Sequence, residues 1–181
     1  MAARCVSSTA KSSSPRVRPQ ARSTSTYRPR SPRRRRAWRG PATRGLDDGV
    51  FSRCFVCGLA RDDALGVFAG AVDGRELVAS PWTPPSWTAD GTGAVLPEFV
   101  WAVLDCPTYF ATHLHEELAP AVLARVACWI EAPIVAGEQH VVIAWPLDAD
   151  GRKRHAGSAL LSRQGQPLAV SRALLIELRA A

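Results

Sequence analysis

Residues 97–107 read PEFVWAVLDCP, and this stretch decides the fold. Pro97 suits the first turn of a helix, and an early carboxylate such as Glu98 interacts favourably with the helix dipole. Apolar residues then recur at helical spacing: Phe99, Val100, Val103, Leu104 and, further on, Phe110. The spacing predicts one amphipathic helix of about four turns. Pro107 is expected either to kink this helix or to end its regular part near Cys106.

The chain before this helix is typical of a β-hairpin followed by a loop. Residues 65–72 and 75–80 are β-prone and flank Asp73-Gly74, which is a strong hairpin signal. Residues 81–95 contain three Pro and two Gly, so we predict a loop that leads into the helix.

The chain after the helix is rich in strand signals. Pro133 places a sheet edge or a bulge after the first of four β-prone runs, and turn sequences at 148–151 and 164–167 separate the later ones. The four runs are 122–130, 139–147, 154–162 and 168–178. We therefore predict a hairpin, one long helix and a four-strand antiparallel meander. A helix packed on about six antiparallel strands is an α+β architecture, because the helix must bury its apolar face on the sheet.

Charge divides the chain into a tail and a domain. The sequence has 23 Lys plus Arg and 16 Asp plus Glu, a net charge of +7. Residues 1–45 hold thirteen of the basic side chains and no acidic ones, so residues 46–181 have a net charge of −6. We predict a disordered Arg/Ser/Pro-rich tail over 1–45 and one domain over 46–181. The acidic balance of the domain argues against nucleic acid as its partner.

Three interpretations of the tail stay open. The first is a solvated segment without a specific function, whose presence in the sequence a start codon assigned too far upstream would explain. The second is a targeting peptide, and the third is a polyanion-binding arm built on Arg33 to Arg36. Pro15, Pro19, Pro29 and Pro32 disfavour the amphipathic helix of a targeting peptide. A secretory signal is not expected, because no apolar segment follows the arginines.

The apolar runs and the cysteines indicate a soluble protein of a reducing compartment. The runs near 94–112 and 118–136 are interrupted by charged residues, so neither reaches the length that a membrane span needs. Five cysteines, an odd number, without a secretory signal are typical of free thiols in the cytoplasm.

Cys54 and Cys57 have the spacing of half a zinc site. A structural zinc site normally has four ligands, and no second CxxC and no HxxxH follows. Only folding could supply the missing ligands, for which the candidates are Cys106, Cys128, His113 and His115. We therefore predict no metal and no cofactor.

Several segments, in this order, resemble the hot-dog-fold acyl-CoA thioesterases, in particular the branch related to the phenylacetate-pathway thioesterases. The similarity covers roughly residues 52–179. Its segments are CFVCG at 54–58 with Leu65-Gly66 beyond it, EFVWAVLDCP at 98–107, APIVAGE at 132–138, Gly151-Arg152, and QGQPLA at 164–169. The resemblance implies a long central helix wrapped by a curved antiparallel sheet, and a homodimer or dimer of dimers with sites between subunits.

The resemblance also implies the chemistry. In such thioesterases a carboxylate of the central helix attacks the thioester or activates water, while backbone N–H groups at the helix start hold the carbonyl oxygen. The matching carboxylate is Asp105, which is otherwise an exposed or capping carboxylate, or a buried one hydrogen-bonded to a neighbouring subunit. Glu98 is a second candidate, which otherwise only interacts with the helix dipole. A buried carboxylate with a raised pKa is suited to act as a base, and helix N-terminal amides stabilise an oxyanion.

The start of the helix departs from the family pattern. Many of these enzymes have His-Gly-Gly there, whereas this chain has Leu96-Pro97-Glu98. Pro97 removes one amide donor, so the amide of Glu98 or Phe99 would have to serve, with flexible backbone at Gly91 and Gly93.

Further substrate contacts are predicted from residue type. Trp101, with Trp82 and Trp87, either walls an acyl pocket or packs in the core. Arg152 and Arg154, with Lys153 between them, either face the phosphates of a CoA-like ligand or form a solvated turn.

Three functions follow from these observations. The first is binding and hydrolysis of an acyl-CoA or another acyl thioester. The second is a non-catalytic acyl-ligand-binding or structural hot-dog protein that lacks the His-Gly-Gly apparatus. The third is polyanion binding through the basic tail.

Overall fold

A computed structural model describes residues 51–115 and 119–179, so the predicted tail over 1–45 lies outside the described residues. Within these two ranges the structure has one α-helix, one short 3-10 helix (Ser86–Thr88) and six strands. The helix is α1 (Pro97–Thr112); the strands are β1 (Gly70–Ala71), β2 (Val78–Trp82), β3 (Ala121–Ile130), β4 (His140–Asp150), β5 (Lys153–Leu161) and β6 (Pro167–Glu177). None of the helices in these ranges has the length and apolar character that crossing a bilayer requires.

Helix α1 begins where the sequence predicts, with Pro97 in its first turn and Glu98 beside it. It does not end near Cys106, and this alternative is wrong: the helix runs through Pro107 to Thr112. A proline inside a helix costs about 3 kcal/mol or more. Burial of Thr108, Phe110 and Ala111 beyond the proline offsets that cost.

The strands form one antiparallel six-stranded sheet in the order β1-β2-β4-β5-β6-β3. Together with α1 this is the predicted α+β hot-dog architecture. The predicted four-strand meander is wrong in one respect, because β3 pairs with β6 and not with β4. The chain therefore crosses from β3 at one edge of the sheet to β4, which pairs with β2. Since β3 is an edge strand, Pro133 follows an edge as predicted.

The strand limits differ from the prediction by a few residues at the ends that are set by pairing with distant strands. Strand β1 is only two residues long, and β2 continues to Trp82, because residues of β2 pair with the first residues of β4. Strand β4 extends to Asp150 through a register shift between Pro146 and Asp148, so the predicted turn at 148–151 is mostly strand.

The core lies between α1 and the sheet. Val100, Val103 and Leu104 of the helix are inaccessible to solvent and pack with core residues such as Val142 and Leu160. A buried polar contact fixes the register of the helix on the sheet: the Ser158 hydroxyl donates to the Leu104 carbonyl at 2.7 Å and lies 2.7 Å from the Ser171 hydroxyl.

We expect Ser158→Ala to destabilise the protein by about 1–3 kcal/mol, because Ser171 keeps a buried hydroxyl without its partner. Urea unfolding measures the change. Ser86→Ala is the matched control, since Ser86 is exposed, and it should change stability by less than about 0.5 kcal/mol. Equal stability of the two variants would contradict an anchoring role for Ser158.

Candidate functional site

Asp105 and Trp101 lie one turn apart on the face of α1 opposite the buried one. The Trp101 side chain is 40% exposed although it belongs to the central helix, and Asp105 is half-buried. Their neighbours Val103 and Leu104 have no exposed surface. The carboxyl of Asp105 and the large apolar ring of Trp101 therefore lie side by side on the open face of the helix.

The carboxyl of Asp105 is a strong candidate for acid–base chemistry. Burial, followed by the negative charge of Cys54, raises its pKa from 3.8 to about 6. Within the described residues, no hydrogen bond or ion pair is formed by this carboxyl. A carboxylate that is partly removed from water and unpaired is unusual unless a ligand or another subunit uses it.

The first turn of α1 offers few amide donors. Leu96 caps the helix without a side-chain hydrogen bond, and its carbonyl accepts the N–H groups of Phe99 and Val100 at 3.1 and 3.4 Å. Pro97 has no N–H. Among the described residues, the Glu98 N–H has no backbone acceptor, so it is the donor that remains available at the helix start. The Glu98 side chain itself is exposed.

The loop before α1 is held firmly. Gly93 has φ +88°, a conformation that favours glycine, and its carbonyl accepts the Ala136 N–H at 3.1 Å. The Asp90 carboxylate accepts the hydroxyl and the N–H of Thr92 at 2.6 and 2.8 Å. The Thr92 hydroxyl and then its N–H lower the pKa of Asp90. Gly93 is thus part of an ordered loop next to the helix start.

Three aromatic rings gather over the helix start. Trp87 meets Phe99 edge to face with ring centroids 5.4 Å apart, and Phe55 lies 6.1 and 6.4 Å from them. Trp87 is 42% exposed, whereas Trp82 is 2% exposed and donates its indole N–H to the Leu65 carbonyl. Trp82 is therefore a core residue, while Trp87 and Phe99 line the surface.

The basic turn lies far from these groups within one chain. Arg154 forms an ion pair with Glu177 at 2.5 Å, and Arg152 donates to the Glu177 carbonyl at 2.8 Å. Arg154 is four residues along β5 from Ser158, which contacts Leu104, so about 13 Å of strand separates Arg154 from this contact with the middle of α1. The structure brings together Gly93, Glu98 and Phe99 at the helix start, and Trp101 with Asp105 one to two turns later; Arg152 and Arg154 stand apart.

Of the four residues that folding could have brought to Cys54 and Cys57, the structure brings Cys106. The sulfur atoms of Cys54, Cys57 and Cys106 lie within 4.8 Å of one another. Hydrogen bonds from the thiols of Cys106 and Cys57 lower the pKa of Cys54 to about 2, and hydrogen bonds to Cys54 and Cys57, with burial, raise that of Cys106. Neither Cys128 nor the described histidines join this group. No spacing rule links Cys106 to the CxxC, because only the packing of α1 brings it there.

Comparison with known proteins supports the fold. Scans of the sequence against protein-family models and curated proteins found no match. Among solved structures, the chain is similar to the E. coli PaaI protein from the phenylacetic acid degradation operon, with TM-score 0.57 and 14% identity over 65% of this chain and 83% of that chain. It is also similar to zebrafish thioesterase superfamily member 2, with TM-score 0.55 and 16% identity over 62% and 83% of the two chains.

A third similar structure, a thioesterase superfamily protein, has TM-score 0.61 and 17% identity over 67% of this chain and 59% of that chain. Together these structures confirm the predicted resemblance at the level of the fold. The chain therefore has the hot-dog fold.

Asp105→Asn removes the charge and keeps the shape of the side chain. Because the folded pKa of about 6 exceeds the unfolded value, folding binds a proton, and stability is lost as the pH rises from about 4 to about 6. We expect the variant to match the wild type below about pH 4 and to be more stable by up to about 3 kcal/mol above about pH 6. Urea unfolding of both proteins at a series of pH values measures this difference in stability. EDTA is present so that no metal ion binds to the neighbouring cysteines. A variant less stable than the wild type at neutral pH would contradict it.

Proposed function

We propose that the chain is a hot-dog thioesterase that hydrolyses an acyl thioester, with acyl-CoA as the substrate class. The observation that carries this proposal is the half-buried, unpaired carboxyl of Asp105 next to the exposed ring of Trp101 on the central helix. Thioester hydrolysis needs a base for water and an apolar surface for the acyl chain, and these two residues supply both.

Asp105 acts in its ionised form. It takes a proton from water while the water oxygen bonds to the thioester carbon, or it attacks that carbon directly and water then cleaves the anhydride. The carbon–sulfur bond breaks, and the leaving thiolate receives the proton, giving acid and thiol. The negative charge on the carbonyl oxygen needs a hydrogen-bond donor, for which the Glu98 N–H is the candidate. The Glu98 carboxylate, exposed at the same turn, is the second proposed catalytic group.

The distance along the helix requires a second copy of the chain. Glu98 and Asp105 are seven residues apart, which is about 10 Å along α1. One thioester group cannot contact both, because each contact is a hydrogen bond of about 3 Å. In a homodimer, the base of one chain meets the helix start of its partner. We propose that two such dimers form the largest assembly, as the family resemblance implies.

The edge strand β3 is the candidate surface for dimerisation. It is ten residues long and carries four large exposed apolar side chains: Val122, Leu123, Trp129 and Ile130. A long apolar edge strand pairs readily with another chain unless it is covered. The same proposal assigns Arg152 and Arg154 to the phosphates of CoA, with Arg152 exposed and Arg154 held behind it by Glu177.

One observation favours a second function. The helix start lacks the amide of Pro97 and the His-Gly-Gly sequence, so an acyl-binding protein without turnover is the alternative. The four described cysteines are all free thiols, which supports the further proposal of a cytoplasmic location.

A panel of acyl-CoA substrates with detection of the released thiol tests hydrolysis. We expect Asp105→Asn to lower turnover by about 100- to 10,000-fold, the usual contribution of a positioned base. Asp73→Asn is the matched control, because Asp73 is an exposed carboxylate in the β1–β2 turn and Asn-Gly suits the same turn. Full turnover in Asp105→Asn would remove Asp105 from the reaction. Binding of acyl-CoA without thiol release by the wild type would favour the alternative.

Light scattering after gel filtration tests the dimer. The wild-type mass should be at least twice 19.5 kDa, and Trp129→Lys should lower the association because it puts a charge into an apolar interface. Leu147→Lys replaces another exposed apolar residue on β4 and should leave the mass unchanged. A monomeric wild type would contradict the two-chain site.

A further inference from the structure

The three-cysteine cluster joins two separate parts of the chain. Cys54 and Cys57 belong to the turns that begin the described residues, and Cys106 lies in the middle of α1. Cys57 is inaccessible, and Cys54 and Cys106 pack against both hydrophobic clusters beside the helix. The packed core thus holds the three sulfur atoms together.

The turn at 54–58 is shaped to present two sulfur atoms on one side. The Gly58 N–H donates to the Cys54 carbonyl at 2.8 Å, and the Val56 N–H points at the Cys54 sulfur at 3.4 Å. A side chain at Gly58 would place its Cβ 2.4 Å from the Cys54 carbonyl oxygen, so only glycine closes this turn. Backbone N–H groups directed at sulfur are the outer-shell contacts that support thiolate ligands.

We propose that Cys54, Cys57 and Cys106 bind a zinc ion through three thiolates, with the fourth tetrahedral position open. Zinc–sulfur bonds of about 2.3 Å in tetrahedral geometry place the sulfur atoms about 3.8 Å apart. The atoms here all lie within 4.8 Å, so closing onto the ion requires shifts of about 1 Å or less. Thiolates are soft ligands, which favours zinc over magnesium or calcium.

The proposed zinc ion would have a structural role that is separate from the proposed hydrolysis. It would tie the 51–67 segment to α1, and part of its binding free energy would become folding free energy. The proposal does not depend on turnover, so a protein inactive toward thioesters would still bind the metal.

Metal analysis of the untagged, full-length chain tests the site. The protein is purified with TCEP and without chelator, loaded with zinc, dialysed and measured by ICP-MS. We expect one zinc per chain in the wild type and in Cys128→Ser, the matched control on β3, and loss of zinc in Cys106→Ser. Zinc retained in Cys106→Ser, or no zinc in the wild type, would overturn the proposal.

Cobalt keeps the test decisive if Cys106→Ser fails to fold. Added to the metal-free wild type, cobalt(II) should give the sulfur-to-cobalt charge-transfer absorption and the visible bands of a tetrahedral ion. EDTA should lower the Tm of zinc-loaded wild type and Cys128→Ser alike. Octahedral cobalt without charge transfer would overturn the site, as would a mass lower by two hydrogens under TCEP, which would identify a disulfide within the cluster.

Discussion

The contact between the apolar face of α1 and the sheet determines where the candidate groups lie. Leu104 is inaccessible, and its carbonyl is held by Ser158, so the rotation of the helix about its axis is fixed at this point. Successive helical residues are turned by about 100°. Asp105 is therefore directed to the open face and Cys106 to the segment that carries Cys54. The buried contact between Ser158 and Leu104 thus places the neighbouring residues Asp105 and Cys106 in two different environments.

Local signals were enough for the elements but not for their arrangement. The helix start at Pro97 and the turns at Asp73-Gly74 and 164–167 depend on residues close in sequence, and they were predicted. The pairing of β3 with β6 was not predicted, because an alternating apolar pattern does not specify which distant strand will be the partner. The predicted helix end near Pro107 was wrong for the same reason, because the burial that stabilises the helix beyond Pro107 comes from contact with the sheet.

The candidate site divides in the same way. The spacing of Trp101 and Asp105 places them on one helical face, so their proximity is readable from the sequence. The resemblance implied a role for Asp105, whereas Trp101 was a candidate by residue type alone. The ion pair of Arg154 with Glu177 and the approach of Cys106 to Cys54 join residues more than 20 positions apart, and sequence spacing holds no information on either. Basic residues that looked free for phosphate are thus partly engaged within the fold.

The segment around Cys54 also couples the cysteines to the helix start. Phe55 follows Cys54 directly, and its ring lies against Trp87 and Phe99. The Leu65 N–H donates to the Phe55 carbonyl at 2.8 Å, so the segment is held from both sides. Cys54 and Phe55 share a peptide bond, so contacts that hold the backbone of Cys54 also restrain the backbone of Phe55. In the proposed thioesterase, whatever orders the cysteine segment therefore also helps to order one wall of the approach to the helix start.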